Sequence, residues 1–484
     1  MERFDLIVIG GGPAGIVAAT TAAGLGKHVA LVDNHHELGG AGANTGTVPS
    51  KTLRETALAL SGIRSRNLYG VDLSLRREAT VSDFLGHERN VKAGLNLLLA
   101  RRMETCQTAV YCGTGTFDDP HTIRVRLKSD SAPNEVRIEG DHILIATGSS
   151  PLHPPDIPFG IPEVYDSDTI LELDCLPGTL GVLGAGVIGS EYACTFAALG
   201  TKVHVIDGRD ILLPFLDSEV SRALTKVMER NGIVFHWKEK AQCSGCAAGE
   251  AGKVALQLSS GERLVVDAVL VAAGRKSNTD ALGLEAAGIK PAERGVIPVD
   301  EHYRTTVPHI YAAGDVIGFP ALASTSMEQA RLAIRHAFGP QSLGRVSSLL
   351  PTGVYTIPEV SMIGETEESL RRANVDYVAG RGPYSASARG RIIGDMDGFL
   401  KLLFRSGDMK LLGVHAMGEQ ATELVHVGLM VMLAGGSAHT FDEACFNIPT
   451  LGALYKVAAL DALTAAASAP TGNGLQSACS WICA

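Results

Sequence analysis

The chain has 484 residues, 45% of them hydrophobic and 19% charged, enough for about three domains. Glycine is high at 55 residues, about 11% against a usual ~7%, yet no collagen-type period accompanies it and the apolar content excludes a disordered chain. A formal charge of −10 excludes the global positive field that gathers nucleic acid. No apolar run reaches the roughly 18 residues of a membrane span, the start Phe4–Gly10 lacks a signal-peptide pattern, and nine cysteines are too few for a secreted disulfide scaffold. A cytoplasmic enzyme is expected, with neither nucleic acid nor a membrane as partner.

The pattern in the first residues predicts a strand at Leu6–Ile9, a glycine turn at Gly10-Gly11-Gly12-Pro13-Ala14-Gly15, an alanine-rich helix and a second strand, Val29–Val32, ending at Asp33. The same order returns further on. Leu180–Leu183 leads into Gly184-Ala185-Gly186-Val187-Ile188-Gly189, a helix through Glu191, and a strand, Val203–Ile206, ending at Asp207. Asp33 and Asp207 stand at the same offset from the first glycine of their turns, so one βαβ unit occurs twice. Between the two, residues 85–105 read as a charged helix. Residues 108–145 read as antiparallel strands with turns at 118–120 and 131–134. The Pro-rich run 151–162 reads as a linker. From about 346 no nucleotide motif recurs, and the last twenty residues read as a flexible tail.

Each turn carries a mechanical requirement. The first glycine permits the tight turn, the second lets backbone approach a pyrophosphate, and the third lets helix and strand pack closely. The helix N-terminus then presents unpaired N–H groups and a positive dipole end to the anion, and the acid about twenty residues on accepts from a ribose hydroxyl. A lone GxGxxG is weak, but both copies here sit in the full strand–turn–helix–strand–acid order, which points to two dinucleotide sites. The fold class expected is α/β: two Rossmann-like domains and an α+β C-terminal domain.

Three closing loops complete the pattern: Ala146-Thr147-Gly148, Ala273-Gly274-Arg275, and Tyr311-Ala312-Ala313-Gly314-Asp315 followed by Ala323. In this order the chain resembles the flavoprotein disulfide reductase superfamily, over residues 4 to about 465. The resemblance implies FAD at the first site, held by Gly10, Gly12, Pro13, Ala14, Gly15, Asp33, Gly40, Thr47, Lys51, Thr147, Gly148, Gly314, Asp315 and Ala323. It implies NAD(H) or NADP(H) at the second, held by Gly184, Gly186, Val187, Ile188, Gly189, Glu191, Asp207, Arg209, Gly274 and Arg275. It also implies domains at 1–150 and 275–345 (FAD), 151–274 (nicotinamide nucleotide) and 346–465 (interface of a homodimer), with a tail from 466.

Those reductases carry a redox disulfide in G-G-x-C-x-N-x-G-C-x-P-S-K and a base in H-P-T-x-x-E. Here the first reads Gly39-Gly40-Ala41-Gly42-Ala43-Asn44-Thr45-Gly46-Thr47-Val48-Pro49-Ser50-Lys51, and the second Ile448-Pro449-Thr450-Leu451-Gly452-Ala453. Both sulfurs, the histidine and the glutamate are gone. A thiolate relay needs a nucleophilic sulfur and a base, so dithiol reduction here is excluded. The sequence is similar to the branch of the family without the disulfide, the soluble pyridine nucleotide transhydrogenases, at Thr47, at 311–323, at 355–360 and at 446–450. It departs from that branch at Gly42 and Ala453.

The resemblance implies ping-pong hydride transfer between NADPH and NAD+ through FAD, with Lys51 beside the flavin and paired with Glu191. At the second site, Asp207 suits a free 2′-OH and tilts the site toward NAD, while Arg209 could donate in bidentate fashion to a 2′-phosphate. Two other readings stand: an NAD(P)H oxidase or reductase feeding quinone, oxygen or a metal ion, and a non-catalytic nucleotide sensor. No resident metal is expected. Cys243–Cys246 has zinc-like spacing without a second ligand pair, Cys479–Cys483 reads as an incidental pair of the terminal tail that could still hold a soft metal ion, His35-His36 reads as a loop pair, and Met430–Leu433 reads as a core or interface helix.

Overall fold

The structure, a computed structural model, describes residues 1–62, 80–128, 134–246, 252–339 and 346–468. It divides into two compact units. One holds the described residues up to Leu213 and those of Met228–Ser348; the other holds Pro214–Val227 and Leu349 to Ser468.

The first unit is built on strand Glu2–Ile9, in which Leu6, Ile7 and Val8 are fully buried, as suits a parallel strand covered on both faces. It pairs in parallel with Val29–Asp33 on one side and Glu135–Ile145 on the other. Ala109–Phe117 extends the layer beyond the first neighbour and Ile310–Ala312 beyond the second, again in parallel. The two long strands, Ala109–Phe117 and Glu135–Ile145, outrun the layer and continue into an antiparallel meander with Thr122–Leu127. The turn expected at 131–134 falls largely outside the described residues. The helix expected over 85–105 starts earlier, at Val81, because Thr80 and Asp83 cap each other's backbone N–H groups, a reciprocal box that fixes a helix start.

A second parallel layer runs in the order Ile233–Trp237, Lys202–Asp207, Thr179–Leu183, Ala268–Val271, Val164–Tyr165. Its two ends of chain are tied by an antiparallel pair, Ser149–Pro151 with Arg275–Ser277, so the chain enters and leaves this inserted fold side by side. Helices Pro13–Gly24 and Val187–Ala198 pack on their own sheets through small buried residues such as Ala18, Ala19, Ala22 and Ala193.

The second unit is an antiparallel sheet in the order Thr352–Val354, Val360–Gly364, Leu411–Met417, Phe399–Arg405, Tyr377–Pro383. Helices Ala421–Leu433 and Leu454–Ser468 pack with it around Tyr384, Phe404, Phe441 and Tyr455. The last helix runs to Ser468, past the 466 at which a tail was expected, and residues 469–484, with Cys479 and Cys483, lie outside the described residues.

One feature of this unit was absent from the sequence expectations. Lys401, in the middle of an apolar strand, is 1% exposed and its Nζ lies 2.8 Å from Asp217, 2.9 Å from Glu219 and 2.5 Å from Glu367. Among the described residues this carboxylate trio is the only group of three with metal-ligand spacing, and the ammonium already stands among its oxygens. Arg381 braces the rim with two bonds to Glu219, at 2.9 and 2.7 Å. Burial pulls the Lys401 ammonium down, but the three carboxylates outweigh it and raise it. Glu219 is held down to about 2, first by Arg381. A carboxylate lowered on folding adds stability above its ordinary 4.5 and loses it as pH falls toward about 2. Replacing Lys401 by Met should therefore cost about 3–5 kcal/mol near neutral pH, the usual consequence of stranding buried charge. The deficit should shrink as pH falls below 4.5. Chemical unfolding across pH measures both, and a neutral Lys401→Met would refute the assignment.

Candidate functional site

The first turn leaves strand Glu2–Ile9 at Gly10, whose φ of +107° suits glycine. A methyl on Gly15 would overlap the Gly10 carbonyl oxygen, so the helix can back onto the strand only with hydrogen there. Gly12, by contrast, meets nothing nearer than the Gly40 Cα at 3.9 Å, and its helix has Pro13 in its first turn and no side-chain cap. Open N–H groups with backbone-only walls are what a pyrophosphate needs. Asp33 accepts from Gly11 N–H at 2.5 Å and from His35 N–H at 2.7 Å, so it also braces the turn, and His35 is a loop residue as expected.

The second turn repeats this. A methyl on Gly184 would stand 2.6 Å from the Ala272 oxygen, one on Gly189 would overlap the Gly184 oxygen, and Gly186 faces open space. Val187 and Ile188 open the helix Val187–Ala198, again without a side-chain cap. Asp207 accepts from Ala185 N–H at 2.7 Å, the counterpart of the Asp33 bond.

Helix Thr47–Ser61 places Thr47 and Lys51 one turn apart. Lys51 Nζ lies 2.7 Å from Glu191 Oε2, with side chains 27% and 7% exposed. The expected pair is thus present, and it links the first helix after the flavin-side motif to the helix of the second turn. The closing loops are tied to one another. Thr147 and Asn278 exchange two bonds, at 2.7 and 3.0 Å. Gly148 precedes Ser149, whose Oγ donates to Asp315 Oδ2 at 2.7 Å. Gly314 N–H donates to Gln329 at 2.9 Å. Ala323 begins helix Ala323–Phe338, and in its first turn the Thr325 hydroxyl is buried without a partner.

Arg275, expected at the second nucleotide, is bonded within the chain. Its guanidinium donates to Ser149 Oγ at 2.8 Å and to Ser149 O at 2.6 Å. It therefore orients the serine that binds Asp315, next to Gly274 in the loop that leaves the second fold. Arg209 is likewise engaged, by Asp207.

Gly42 lies in the short helix Gly40–Asn44, where a Cβ would stand 2.7 Å from Pro13 Cγ. In the second unit Ile448 is 70% exposed and Ala453 ends a short turn of helix. Cys243 lies in a strand opposite Leu256 and belongs to no metal-spaced trio among the described residues. Met430 and Leu433 point outward from helix Ala421–Leu433, 64% and 54% exposed, so that stretch presents an apolar face.

The pattern of the pyridine nucleotide-disulphide oxidoreductases matches residues 4–337, and that of their dimerisation domain matches 350–459. The chain belongs to this family. A protein named soluble pyridine nucleotide transhydrogenase from Mycobacterium bovis (strain BCG Pasteur) is 46% identical over 464 residues, covering 96% of this chain and 98% of the relative. Another of that name from Pseudomonas putida is 42% identical over 467 residues, covering 95% and 98%. Among solved structures, the Cu(II) complex of the HOCl-induced flavoprotein disulfide reductase RclA from Escherichia coli superposes with a TM-score of 0.85 at 28% identity, covering 95% of this chain and all of that one.

The family binds FAD and nicotinamide nucleotide, and the residues fit both. The two glycine cradles, the uncapped helix starts, Asp33, Asp315 and the unpartnered Thr325 hydroxyl suit a flavin dinucleotide and a second dinucleotide. The dimerisation-domain match, over residues 350–459, falls in the second unit and supports a homodimer. Among the described residues no helix is long and apolar enough to cross a membrane.

Restoring the missing sulfurs should not restore thiol chemistry. Gly42→Cys forces Pro13 to give way, at a cost of about 1–3 kcal/mol, and neither Ile448 nor Ala453 can move a proton. A Gly42→Cys/Thr47→Cys double variant should show no disulfide reductase activity with lipoamide or glutathione disulfide; appreciable turnover would overturn this reading.

Proposed function

We propose that this chain is a soluble, cytoplasmic homodimeric transhydrogenase that moves hydride from NADPH to NAD+ by a ping-pong cycle at one nicotinamide site. The observation that carries it is the combination of two intact dinucleotide cradles with the Lys51–Glu191 pair, in a chain whose disulfide positions hold Gly42 and Thr47. The names of the relatives agree with it. Bound FAD supplies hydride acceptance and return at its N5. The domain limits expected above, 1–150 with 275–345, 151–274 and 346–465, belong to the same proposal.

The protein's own residues then have these tasks. Gly10, Gly12 and Gly15 hold open a path for the first pyrophosphate, and Gly184, Gly186 and Gly189 for the second. Asp315, with its carboxylate oriented by Ser149 and Arg275, binds the sugar-like chain of the flavin. Lys51 places a cation at the flavin side of the site, and Glu191 fixes it there. A preset charge of this kind favours negative charge that develops during reaction, because it needs no reorganisation. Thr47, at the start of the same helix, contributes shape and a hydroxyl where a thiol would otherwise react. No proton relay is required of Ile448 or Ala453, because the transferred hydride carries its own electron pair.

Cys106, Cys112, Cys175 and Cys445 are free thiols, which suits a reducing compartment and supports the cytoplasmic location.

The direct test is stopped-flow absorbance on the purified flavoprotein. NADPH should bleach the flavin and NAD+ should restore it within the same mixing experiment. Flavin that NADPH reduces but only oxygen, quinone or a metal ion reoxidises would establish the oxidase reading instead; flavin that neither reduced nucleotide bleaches would establish the sensor. Lys51→Met should slow the reductive half-reaction, measured per bound flavin, by about 10²-fold.

A further inference from the structure

The acid of the second fold is not free to do what its position suggests. Asp207 is 8% exposed at the side chain, and each of its oxygens accepts twice. Oδ1 takes the Arg209 backbone N–H and Nε, both at 2.8 Å. Oδ2 takes Ala185 N–H and Arg209 Nη2, both at 2.7 Å. An ionised carboxylate offers about four lone-pair sites, so Asp207 is saturated. Burial raises its carboxyl, but the Arg209 guanidinium and the two backbone N–H groups outweigh burial and hold it at about 2. The pair is therefore a carboxylate and a guanidinium that cancel.

The four donors differ in mobility. Two are backbone groups on separate loops, Ala185 N–H in the glycine turn and Arg209 N–H after the strand, and the Asp207–Arg209 segment is pinned: Lys238 N–H donates to Arg209 O at 2.9 Å and Glu239 N–H to Asp207 O at 3.2 Å. The other two belong to one guanidinium, on a side chain 45% exposed. Only the Arg209 side chain can move without disturbing the turn.

We propose that Arg209 is a two-position latch that decides which nicotinamide nucleotide the site accepts. Closed on Asp207, it uses two of its five N–H donors. It cancels the charge that would repel a 2′-phosphate, and it keeps three donors for that phosphate. The same position denies a free 2′-OH the oxygens it needs. Opened away from Asp207, it frees two lone-pair sites for a ribose hydroxyl. The closed latch thus suits NADP(H) and the open latch NAD(H), and one site serves both in turn. On this proposal the tilt toward NAD drawn from Asp207 in the sequence belongs to the open position. This inference rests on the reading that the second fold takes both nucleotides, but not on hydride transfer.

The test is binding of two adenosine fragments to the oxidised holoenzyme, 5′-AMP for the NAD half and adenosine 2′,5′-bisphosphate for the NADP half, followed by calorimetry. Arg209→Gln should weaken the bisphosphate by about tenfold or more and tighten 5′-AMP several-fold, because Asp207 is released. Arg209→Lys, which keeps a charge without the planar fork, should also tighten 5′-AMP while losing less of the bisphosphate. Asp207→Asn should weaken 5′-AMP and spare the bisphosphate. Retained flavin absorbance confirms each variant is folded. If both Arg209 variants leave 5′-AMP unchanged or weaker, the latch is refuted, and it is refuted too if the parent protein binds neither fragment. A protein that passes this test yet fails NADPH-to-NAD+ transfer keeps the latch and loses the transhydrogenase reading.

Discussion

A strand can deliver its chain into a helix aimed at an anion only if the turn between them has almost no bulk. At Gly15 and at Gly189 a single methyl would occupy the space of a carbonyl oxygen from the preceding turn. That contact holds each helix against its own strand and points its free N–H groups outward. Everything else in the first unit is arranged around these two approaches: the alanine-rich faces that let the helices sit close, the parallel layers that support them, and the paired ends that let one fold be inserted in the other. A side chain at either point would separate helix from strand and leave the anion without its donors.

The acids at the ends of the second strands show the same economy of position. Asp33 and Asp207 stand where a ribose would be read, yet each already accepts the N–H of the residue after the first glycine. Each carboxylate therefore braces its turn from the place where a ribose would be read. Such double duty couples binding to local geometry: a change in what the carboxylate bonds is felt by the backbone that cradles the pyrophosphate. It also explains why the backbone around Asp207 is tied down from the neighbouring strand end, leaving mobility to one side chain.

Much of this was legible in the sequence, and the reasons for the remainder are physical. The twin turns, their strands and their acids follow from local patterns, since each motif is contiguous and each glycine answers a steric need within a few residues. The Lys51–Glu191 pair spans two distant segments and came from family resemblance rather than spacing. What escaped were bonds that depend on three-dimensional proximity between polar residues. Arg275, expected at the nucleotide, also donates to Ser149, because the paired ends of the inserted fold bring residues 126 positions apart into contact. Arg209 looked free of its neighbours but gives two of its N–H donors to Asp207, two residues back. Lys401 gave one faint signal, a charge inside the apolar strand Phe399–Arg405, which could have flagged a buried partner without saying which.

The loss of sulfur also looks different in three dimensions. In the sequence Gly42 is a missing cysteine and Ile448 a missing base, two deletions in separate segments. In the structure Gly42 lies where even a Cβ would press on Pro13, the residue that opens the first phosphate-facing helix. A thiol could return only by pushing on the same helix start that must face the pyrophosphate, so chemistry and binding would compete. Hydride exchange between nucleotides has no such conflict, because it asks for a cradle, a fixed cation and a ribose reader. All three are compatible with glycine at 42.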